Sequence, residues 1–267
     1  MIYTITLNPA LDHFVEVGDL KVDDANRVST ECLYAGGKGI DVSRAIRHLG
    51  GDSMALGFIG GHNGQVMVDL LKAEGVTSYF TPIAQETRRN IIVSARARGT
   101  QTILNSMGPV VTADEWQEFL IHLRLLDLRD AYVVPCGSLP RGVPQDAYRP
   151  DAEILGAAEN LNRSGVKMVI VSCGRRGILA VSGSERYRAV PPAVKVRSTV
   201  GAGDSAVAGF VFRHAGGKAF EDCVRFATAA GTAATLAPGN QLCRLRDVQR
   251  LVPRIRVEAM NKRHDVR

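Results

Sequence analysis

The sequence contains no apolar run of the roughly 18 residues that a membrane-spanning helix needs. Its start, MIYTITLNPALDH, has a strand-like pattern and lacks the basic region and long apolar region of a signal peptide. Its five cysteines are scattered, with no CxxC pair and no His/Cys cluster. These absences argue against a membrane protein, a disulfide framework and a zinc site. We therefore expect a cytoplasmic protein with ordinary thiols.

A basic stripe or a nucleic-acid-binding module is also absent. The formal net charge is +6, but basic residues are interspersed with acidic ones along the chain. The basic end, RIRVEAMNKRHDVR, is typical of a solvated chain terminus. The charge therefore favours small anionic ligands, and we expect no nucleic-acid partner.

What the sequence does contain is an alternation of strand-like and helix-like stretches. At 267 residues and 45% hydrophobic content, the chain can build one sizeable α/β core, and we take 1–267 as a single domain. Runs such as IYTITL and VKMVIVSCG alternate with helical patterns such as GIDVSRAIRHLG. This alternation predicts parallel strands joined by helices. Residues 13–33 and 87–105 instead alternate polar and apolar residues, which predicts antiparallel strands of a small separate sheet, a candidate lid.

Residues 198–210, STVGAGDSAVAGF, place small residues directly before one carboxylate. Gly201, Ala202 and Gly203 would let backbone N–H groups approach an anion, and a helix from about Ser205 would add its positive end. Asp204 could then accept a proton from an attacking hydroxyl during phosphoryl transfer. The alternative is a tight turn with an N-capping aspartate, and this motif alone does not exclude it.

A second glycine cluster, AGGKGIDVSRAI (35–46), surrounds Lys38 and leads into a helix. Contact of Lys38 with an anion is favoured over a solvated loop lysine. Neither cluster matches the P-loop or the dinucleotide-binding pattern. A different phosphate-handling family is therefore required.

The chain resembles the ribokinase-like, or PfkB, family of carbohydrate kinases, in the branch that phosphorylates ketohexose phosphates. The resemblance rests on TLNPALD, GGKGIDVSRAI, GFIGGHNG, ETRRN, GSLPRGV, VIVSCGRRG, STVGAGDSAVAGF and AAGTAATLAPG. It implies a three-layer α/β/α fold with a mainly parallel sheet and a small β-sheet lid. It also implies a homodimer formed through that lid.

For catalysis, the resemblance implies that Asp204 is the general base and that the backbone of Gly201, Ala202 and Gly203 holds the γ-phosphate of ATP. Mg²⁺ would be carried by ATP, with no protein ligand assigned. The residues expected on the nucleotide side are Ser172, Gly174, Gly177, Gly201, Gly203 and Gly231.

On the acceptor side, the resemblance implies that Asp12 orients the sugar with help from the Gly36 and Gly37 backbone, and that Ser138 lies near it. The candidates for holding the phosphate already on the substrate are Arg27, Lys38 and Arg88. Position 41 is usually Asn in the family but is Asp41 here. This change removes an amide donor and adds a charge, so the identity of the sugar stays open.

One segment departs from the family pattern. Between GSLPRGV and VIVSCG, family members carry a further strand and a K-P-N-x-x-E segment that helps to bind magnesium and ATP. Several tens of residues are absent here near Arg149 and Pro150. Loss of an interior strand would expose both of its neighbours, so we expect a stretch that the sequence omits, and not a true deletion.

The expected function is ATP-dependent phosphorylation of fructose 1-phosphate, fructose 6-phosphate or tagatose 6-phosphate. Two alternatives stay open: a kinase of an unphosphorylated sugar or nucleoside, and a non-catalytic sugar-phosphate sensor. Lys38 and Arg88 argue against the first, and the intact GAGD motif argues against the second, since a sensor needs no general base.

Overall fold

The computed structural model describes residues 1–126, 131–143, 168–238 and 241–260. The chain divides into two compact units, Met1–Tyr148 with Pro238–Asn240 and Arg149–Ala237 with Gln241–Arg267. The junction near Arg149 and Pro150, where we expect the missing segment, lies outside the described residues. No helix in the described ranges is long and apolar enough to cross a membrane.

The body of the first unit is a four-stranded parallel sheet. Its strands are β1 (Ile2–Thr6), β4 (Met54–Ile59), β5 (Thr77–Pro82) and β8 (Tyr132–Pro135), in the order β5-β4-β1-β8. The helices of this unit are α1 (Lys38–His48), α2 (Gly61–Ala73) and α3 (Ala113–Arg124). Phe58 of β4 packs against Phe119 of α3, with ring centroids 5.1 Å apart. Parallel strands joined by helices are what the sequence predicts for this part of the chain.

A separate four-stranded sheet, here called the lid sheet, is built from the two stretches that break the alternation. It contains β2 (Ala10–Val17), β3 (Val28–Gly36), β6 (Arg88–Ala95) and β7 (Thr100–Leu104), in the order β3-β2-β6-β7. Strands β2 and β3 pair antiparallel, as do β6 and β7. The expectation of antiparallel strands is wrong for β2 and β6, which run parallel. A whole α/β segment separates these two strands, and such a crossover permits parallel pairing.

The second unit has an antiparallel sheet, and here the prediction of parallel strands is wrong. Strands β9 (Met168–Ser172), β10 (Ile178–Ser182), β11 (Glu185–Val190) and β12 (Arg256–Ala259) follow the order β12-β11-β10-β9. Short turns join β9 to β10 and β10 to β11, and they are too short for the crossover that parallel pairing requires. The helices are α4 (Ala202–Ala215), α5 (Phe220–Leu236) and α6 (Leu245–Leu251), with 3₁₀ turns at Gly174–Arg176 and Val252–Arg254.

The parallel sheet of the first unit and the antiparallel sheet of the second unit each end in an apolar strand that is only partly covered. In β8, whose sequence is YVVP, Val133 is 43% exposed. All four apolar residues of β9, MVIV, are only half-buried. Apolar runs of this kind are typical of strands with neighbours on both edges and helices on both faces. Strands β8 and β9 therefore have the composition of interior strands but lie at the edges of the sheets that the described residues form.

Candidate active site

Asp12 lies in the middle of β2, with Tyr34 of β3 and Asn90 of β6 as its cross-strand partners. It is 8% exposed. Asn90 Nδ2 donates a hydrogen bond of 2.8 Å to Asp12 Oδ1. A Cβ atom added at Gly36 would overlap the Asp12 carboxyl group. The structure thus brings together two residues that the sequence assigns to the acceptor, and it gives Gly36 a steric reason to be glycine.

The start of α1 carries the other residues of the second glycine cluster. Gly37 is the N-cap of α1, and Lys38 is its first residue. Ile40 N donates to Thr6 Oγ1 at 2.9 Å, which fixes the helix start against β1. Lys38 is exposed and has no hydrogen bond or ion pair within the described ranges. Its ammonium group is therefore available to an anion beside the positive end of the helix dipole.

Asp41, the departure from the family pattern, belongs to a buried charge cluster. Arg44 Nη1 donates to Asp41 Oδ1 at 3.2 Å, and Arg44 Nε donates to Glu74 Oε2 at 2.8 Å. Burial lowers the pKa of Arg44, but its hydrogen bonds and charge interactions with Glu74 and Asp41 outweigh this effect and raise its pKa. Arg44 therefore offsets the charge that Asp41 introduces. Our sequence reasoning missed Arg44, although its i,i+3 spacing from Asp41 is a signal.

The Arg88 guanidinium is anchored by three backbone carbonyl groups. Nη1 donates to Ser106 O at 2.8 Å, Nη2 to Asn8 O at 2.9 Å and Nε to Pro9 O at 3.4 Å. Burial lowers the pKa of Arg88, whereas the charge of Asp12 raises it. Arginine has five N–H donors, so two remain beyond these three contacts. The Arg88 guanidinium is thus held in place, and its two remaining N–H donors could bind an oxyanion.

A cleft of about 430 Å³ in the first unit is lined in part by Arg88, Arg89, Asn63 and Glu86. Arg89 is exposed, and its hydrogen bond goes from Nη2 to Asn63 Oδ1 at 3.3 Å. Glu86 Oε1 accepts a hydrogen bond of 2.6 Å from Asn63 N in the first turn of α2. The positive end of the helix dipole therefore partly offsets the negative charge of Glu86. The cleft is therefore cationic. Arg89 was also missed from the sequence, although it is the second arginine of ETRRN.

The remaining acceptor-side residues have simpler surroundings. Asn8 Nδ2 donates to Ser138 Oγ and to Met107 O, both at 3.3 Å. The buried Asn8 Oδ1 has no hydrogen-bond partner within the described part of the chain. Arg27 is exposed in the connection between β2 and β3 and makes no hydrogen bond or ion pair to any described residue. The structure therefore joins Ser138 to the NPALD segment but does not join Arg27 to the other predicted residues.

In the second unit, α4 begins at Ala202 and not at Ser205, so the predicted helix start is wrong by one turn. Gly201 is the N-cap in the left-handed conformation, with φ of 73°, which favours glycine. Asp204 is half-buried in the first turn. Because Gly201 holds the cap position, the alternative of an N-capping aspartate is wrong. Ser205 Oγ accepts from Cys243 N at 3.3 Å and anchors this turn.

The predicted nucleotide-side residues divide into two groups. Ser172 ends β9, and a Cβ atom added at Gly203 would lie 3.9 Å from Ser172 Oγ. Gly174 begins the 3₁₀ turn that follows β9, and Gly177 is its C-cap. Gly231 instead lies where α5 packs against α4, because an added Cβ atom would be 3.0 Å from Ala202 O. The helix contact alone accounts for this glycine.

An α/β body, a separate small sheet and an aspartate in the first turn after a glycine N-cap are features of ribokinase-like carbohydrate kinases. The chain superposes on the crystal structure of a ribokinase from Thermotoga maritima with a TM-score of 0.71, at 19% identity and with 95% of this chain and 99% of that chain covered. The expected ribokinase-like α/β fold is thereby confirmed.

The family model described as pfkB family carbohydrate kinase matches residues 5–150 and 149–247. The chain belongs to this family, as the sequence motifs predict. It is 32% identical to a 1-phosphofructokinase from Borreliella burgdorferi, with 97% of this chain and 98% of the relative covered. It is similar at 31% identity to the ATP-dependent 6-phosphofructokinase isozyme 2 of Escherichia coli, with 94% and 97% covered.

Solved structures support the same assignment. Phosphofructokinase-2 from Escherichia coli in complex with substrates and products superposes with a TM-score of 0.86 at 30% identity, covering 95% of this chain and 98% of that chain. A possible 1-phosphofructokinase from Thermotoga maritima gives a TM-score of 0.84 at 25% identity, with 98% and 100% covered.

Proposed function

We propose that this protein transfers the γ-phosphoryl group of ATP to a ketohexose phosphate, either fructose 1-phosphate, fructose 6-phosphate or tagatose 6-phosphate. The names of its relatives support a fructose phosphate as acceptor. The observation that carries the proposal is the cationic cleft beside Asp12, where Arg88 is anchored with donors left over. An unphosphorylated sugar or a nucleoside would leave these cations unused.

The acceptor part, defined as Asp12, Gly36, Gly37, Lys38 and Arg88, would bind the phosphosugar. Asp12 accepts hydrogen bonds from sugar hydroxyl groups, and Arg88 and Lys38 hold the existing phosphate. We add Arg89 to the phosphate ligands, because only one of its five donors forms a hydrogen bond to a described residue. Arg44 would keep Asp41 from repelling the anionic substrate.

The transfer part, defined as Gly201, Ala202, Gly203 and Asp204, would act on the phosphoryl group. Asp204 is the proposed general base for the acceptor hydroxyl, and the N–H groups at the start of α4 would stabilise charge on the phosphoryl oxygens. Catalysis would consist mainly of positioning and charge stabilisation, as phosphoryl transfer generally requires. The left-handed Gly201 supports this role because it exposes backbone N–H groups at the helix start.

Mg²⁺ is the metal that this chemistry implies. Mg²⁺ prefers oxygen ligands and is usually held by few carboxylates together with substrate phosphates. The described residues contain no group of three or more potential metal ligands, which fits an ion carried mainly by the ATP phosphates. When bound, the ion would offset the charge of those phosphates. We assign it no protein ligand, because Asp204 is the proposed base.

A panel of acceptors tests the proposed function. We expect ADP release from Mg-ATP with fructose 1-phosphate, fructose 6-phosphate or tagatose 6-phosphate, and not with fructose or adenosine. The phosphorylated acceptors gain the charge-assisted bonds to Arg88 and Lys38, which the neutral acceptors lack. Turnover of fructose or adenosine alone would favour the unphosphorylated-acceptor kinase. Folded protein without turnover on any acceptor would favour a sugar-phosphate sensor.

We also propose that the sequence omits a segment near Arg149 and Pro150. The family model matches in two pieces that meet there. The alignment with the Borreliella burgdorferi relative spans 308 positions, 41 more than the 267 residues of this chain. The half-exposed β8 and β9 support a missing interior strand.

Intact-mass measurement tests the omitted segment. We expect a mass clearly above the 28.8 kDa of the printed sequence, because interior strands need neighbours on both edges. Agreement with 28.8 kDa would show a true deletion, and ATP binding would then be expected to be weak.

The lid sheet supports the proposal of a homodimer. Leu33, Ile91 and Leu104 are exposed and lie in one row across the sheet, with His13 of β2 between Leu33 and Ile91. Exposed apolar side chains grouped on one face are typical of an interaction surface. One solved structure of the Escherichia coli relative is of its tetrameric inhibited form. We further propose a cytoplasmic location, supported by the five free cysteines.

A further inference from the structure

Asn90 is a buried residue of β6 that makes two directed hydrogen bonds. Its Nδ2 donates to Asp12 Oδ1 at 2.8 Å, and its Oδ1 accepts from Ser106 N at 3.1 Å. A backbone N–H group can only donate, so the amide oxygen must face Ser106. The amide nitrogen must then face Asp12. The orientation of the Asn90 side chain is thus fixed by its two partners.

Ser106, the second partner, is itself held in place. Its Oγ donates to Arg89 O at 2.5 Å, and its carbonyl oxygen accepts from Arg88 Nη1 at 2.8 Å. Both partners, Arg88 and Arg89, lie at the start of β6, within two residues of Asn90. The amide of Asn90 is therefore part of a short network that connects the Asp12 carboxylate to the anchored Arg88 guanidinium.

The fixed amide of Asn90 directs its hydrogen bond at the Asp12 carboxylate. Gly36 leaves space for the carboxylate but presents no side chain that could orient it. A hydrogen bond to an ionised carboxylate contributes more than one between neutral groups, so the bond from Asn90 favours one orientation of Asp12. Pre-orienting a binding group lowers the entropy cost of binding the ligand.

We propose that Asn90 is a positioning residue that holds the Asp12 carboxylate in the orientation that accepts hydroxyl groups of the acceptor sugar. The proposal rests on the proposed function, in which Asp12 binds that sugar. Asn90 itself touches no reacting atom. Its effect therefore falls on the affinity for the acceptor and not on the affinity for ATP.

The substitution Asn90→Asp tests the proposal with little change of shape. Two carboxylates at hydrogen-bond distance cannot both be ionised readily, so the pKa of the pair is raised. Below that raised pKa the shared proton replaces the amide hydrogen and Asp12 stays in place. Above it the carboxylates repel. We expect the acceptor KM of the variant to rise about tenfold or more from about pH 5 to about pH 9, relative to the unmodified protein.

The stability of Asn90→Asp, like its binding of the acceptor, is expected to fall as the pH rises. A group with a raised pKa in the folded state stabilises the fold at low pH, and this contribution is lost as the pH rises through the folded pKa. The Tm of Asn90→Asp, compared with that of the unmodified protein, should therefore fall as the pH rises. This measurement reports on the Asp12 contact without any assay of activity.

Asn26→Asp is the matched control, because Asn26 is half-buried and its hydrogen bonds to described residues go to Lys21 and Asp24 of its own loop. The proposal is supported if the acceptor KM of Asn90→Asp rises with pH while its ATP KM does not change. The acceptor KM of Asn26→Asp should then follow that of the unmodified protein at every pH. A pH-dependent Tm with a flat acceptor KM overturns it, since Asn90 would then act only on the fold. An acceptor KM and a Tm of Asn90→Asp that both depend on pH as in the unmodified protein also overturn it.

Failure of the proposed function has a different signature, namely no turnover by the unmodified protein on any acceptor. Calorimetric binding of fructose 1-phosphate and fructose 6-phosphate to the unmodified protein and to Asn90→Asp then decides the positioning role. Affinity that falls with pH only in the variant supports it. Equal affinities at all pH values, or no binding by either protein, overturn it.

Discussion

Replacing Asp204 with asparagine is expected to lower kcat by about 10²- to 10⁴-fold, because an amide cannot accept the proton of the acceptor hydroxyl. Asp204 lies in the first turn of α4, directly after the glycine residues that would hold the phosphoryl group. The substitution keeps the size of the side chain, and the glycine N-cap does not depend on it. We therefore expect the KM for ATP and the Tm to change little. Initial rates at saturating Mg-ATP, with the phosphosugar that the unmodified protein uses, give the measurement.

Asp222→Asn is the control for this loss. Asp222 also lies in the first turn of a helix of the second unit, α5, and it is exposed. Asp222→Asn thus also removes one carboxylate from the first turn of a helix, but at a residue to which we assign no role in phosphoryl transfer. A kcat of Asp204→Asn within about tenfold of the unmodified protein would contradict a base role, since general bases typically contribute more.

The parts of the fold that local sequence patterns govern could be predicted from the sequence. The helical pattern of GIDVSRAIRHLG corresponds to α1, and the polar-apolar alternation of 13–33 and 87–105 corresponds to a separate sheet. Strand direction is less accessible, because alternation of strands and helices does not distinguish a parallel crossover from a hairpin. The antiparallel pairing of β9 and β10 depends on the length of one turn, which the composition does not show.

The candidate site shows the same division. Glycine motifs and single carboxylates are visible in the sequence, so Asp12, Gly36 and Asp204 could be selected from it. Their partners come from distant segments: Asn90 meets Asp12 only because β2 and β6 pair across 78 residues. Arg44 is spaced i,i+3 from Asp41, but its second partner, Glu74, lies 30 residues away in the chain and meets it only in the folded protein. Contacts of this kind require the tertiary structure, and no local pattern specifies them.

Replacing Gly36 with alanine should separate acceptor binding from nucleotide binding. The new Cβ atom would overlap the Asp12 carboxyl group, which would have to move and lose its bond to Asn90. A lost hydrogen bond to a charged group corresponds to about 10-fold or more in affinity. We therefore expect the acceptor KM to rise by at least that factor, with the ATP KM unchanged, in steady-state kinetics with each substrate varied in turn.

The control for this substitution is Gly18→Ala, directly after β2 in the same sheet region, where an added Cβ atom meets nothing within 4 Å. It introduces the same methyl group and the same change in chain entropy without touching Asp12. An unchanged acceptor KM in Gly36→Ala would show that Asp12 can move aside without cost, and the orientation of its carboxylate would then have no part in binding the sugar. A rise in both KM values together with a lower Tm would instead assign the effect of Gly36 to the packing of β3 and α1, because a local loss of sugar binding cannot weaken the binding of ATP.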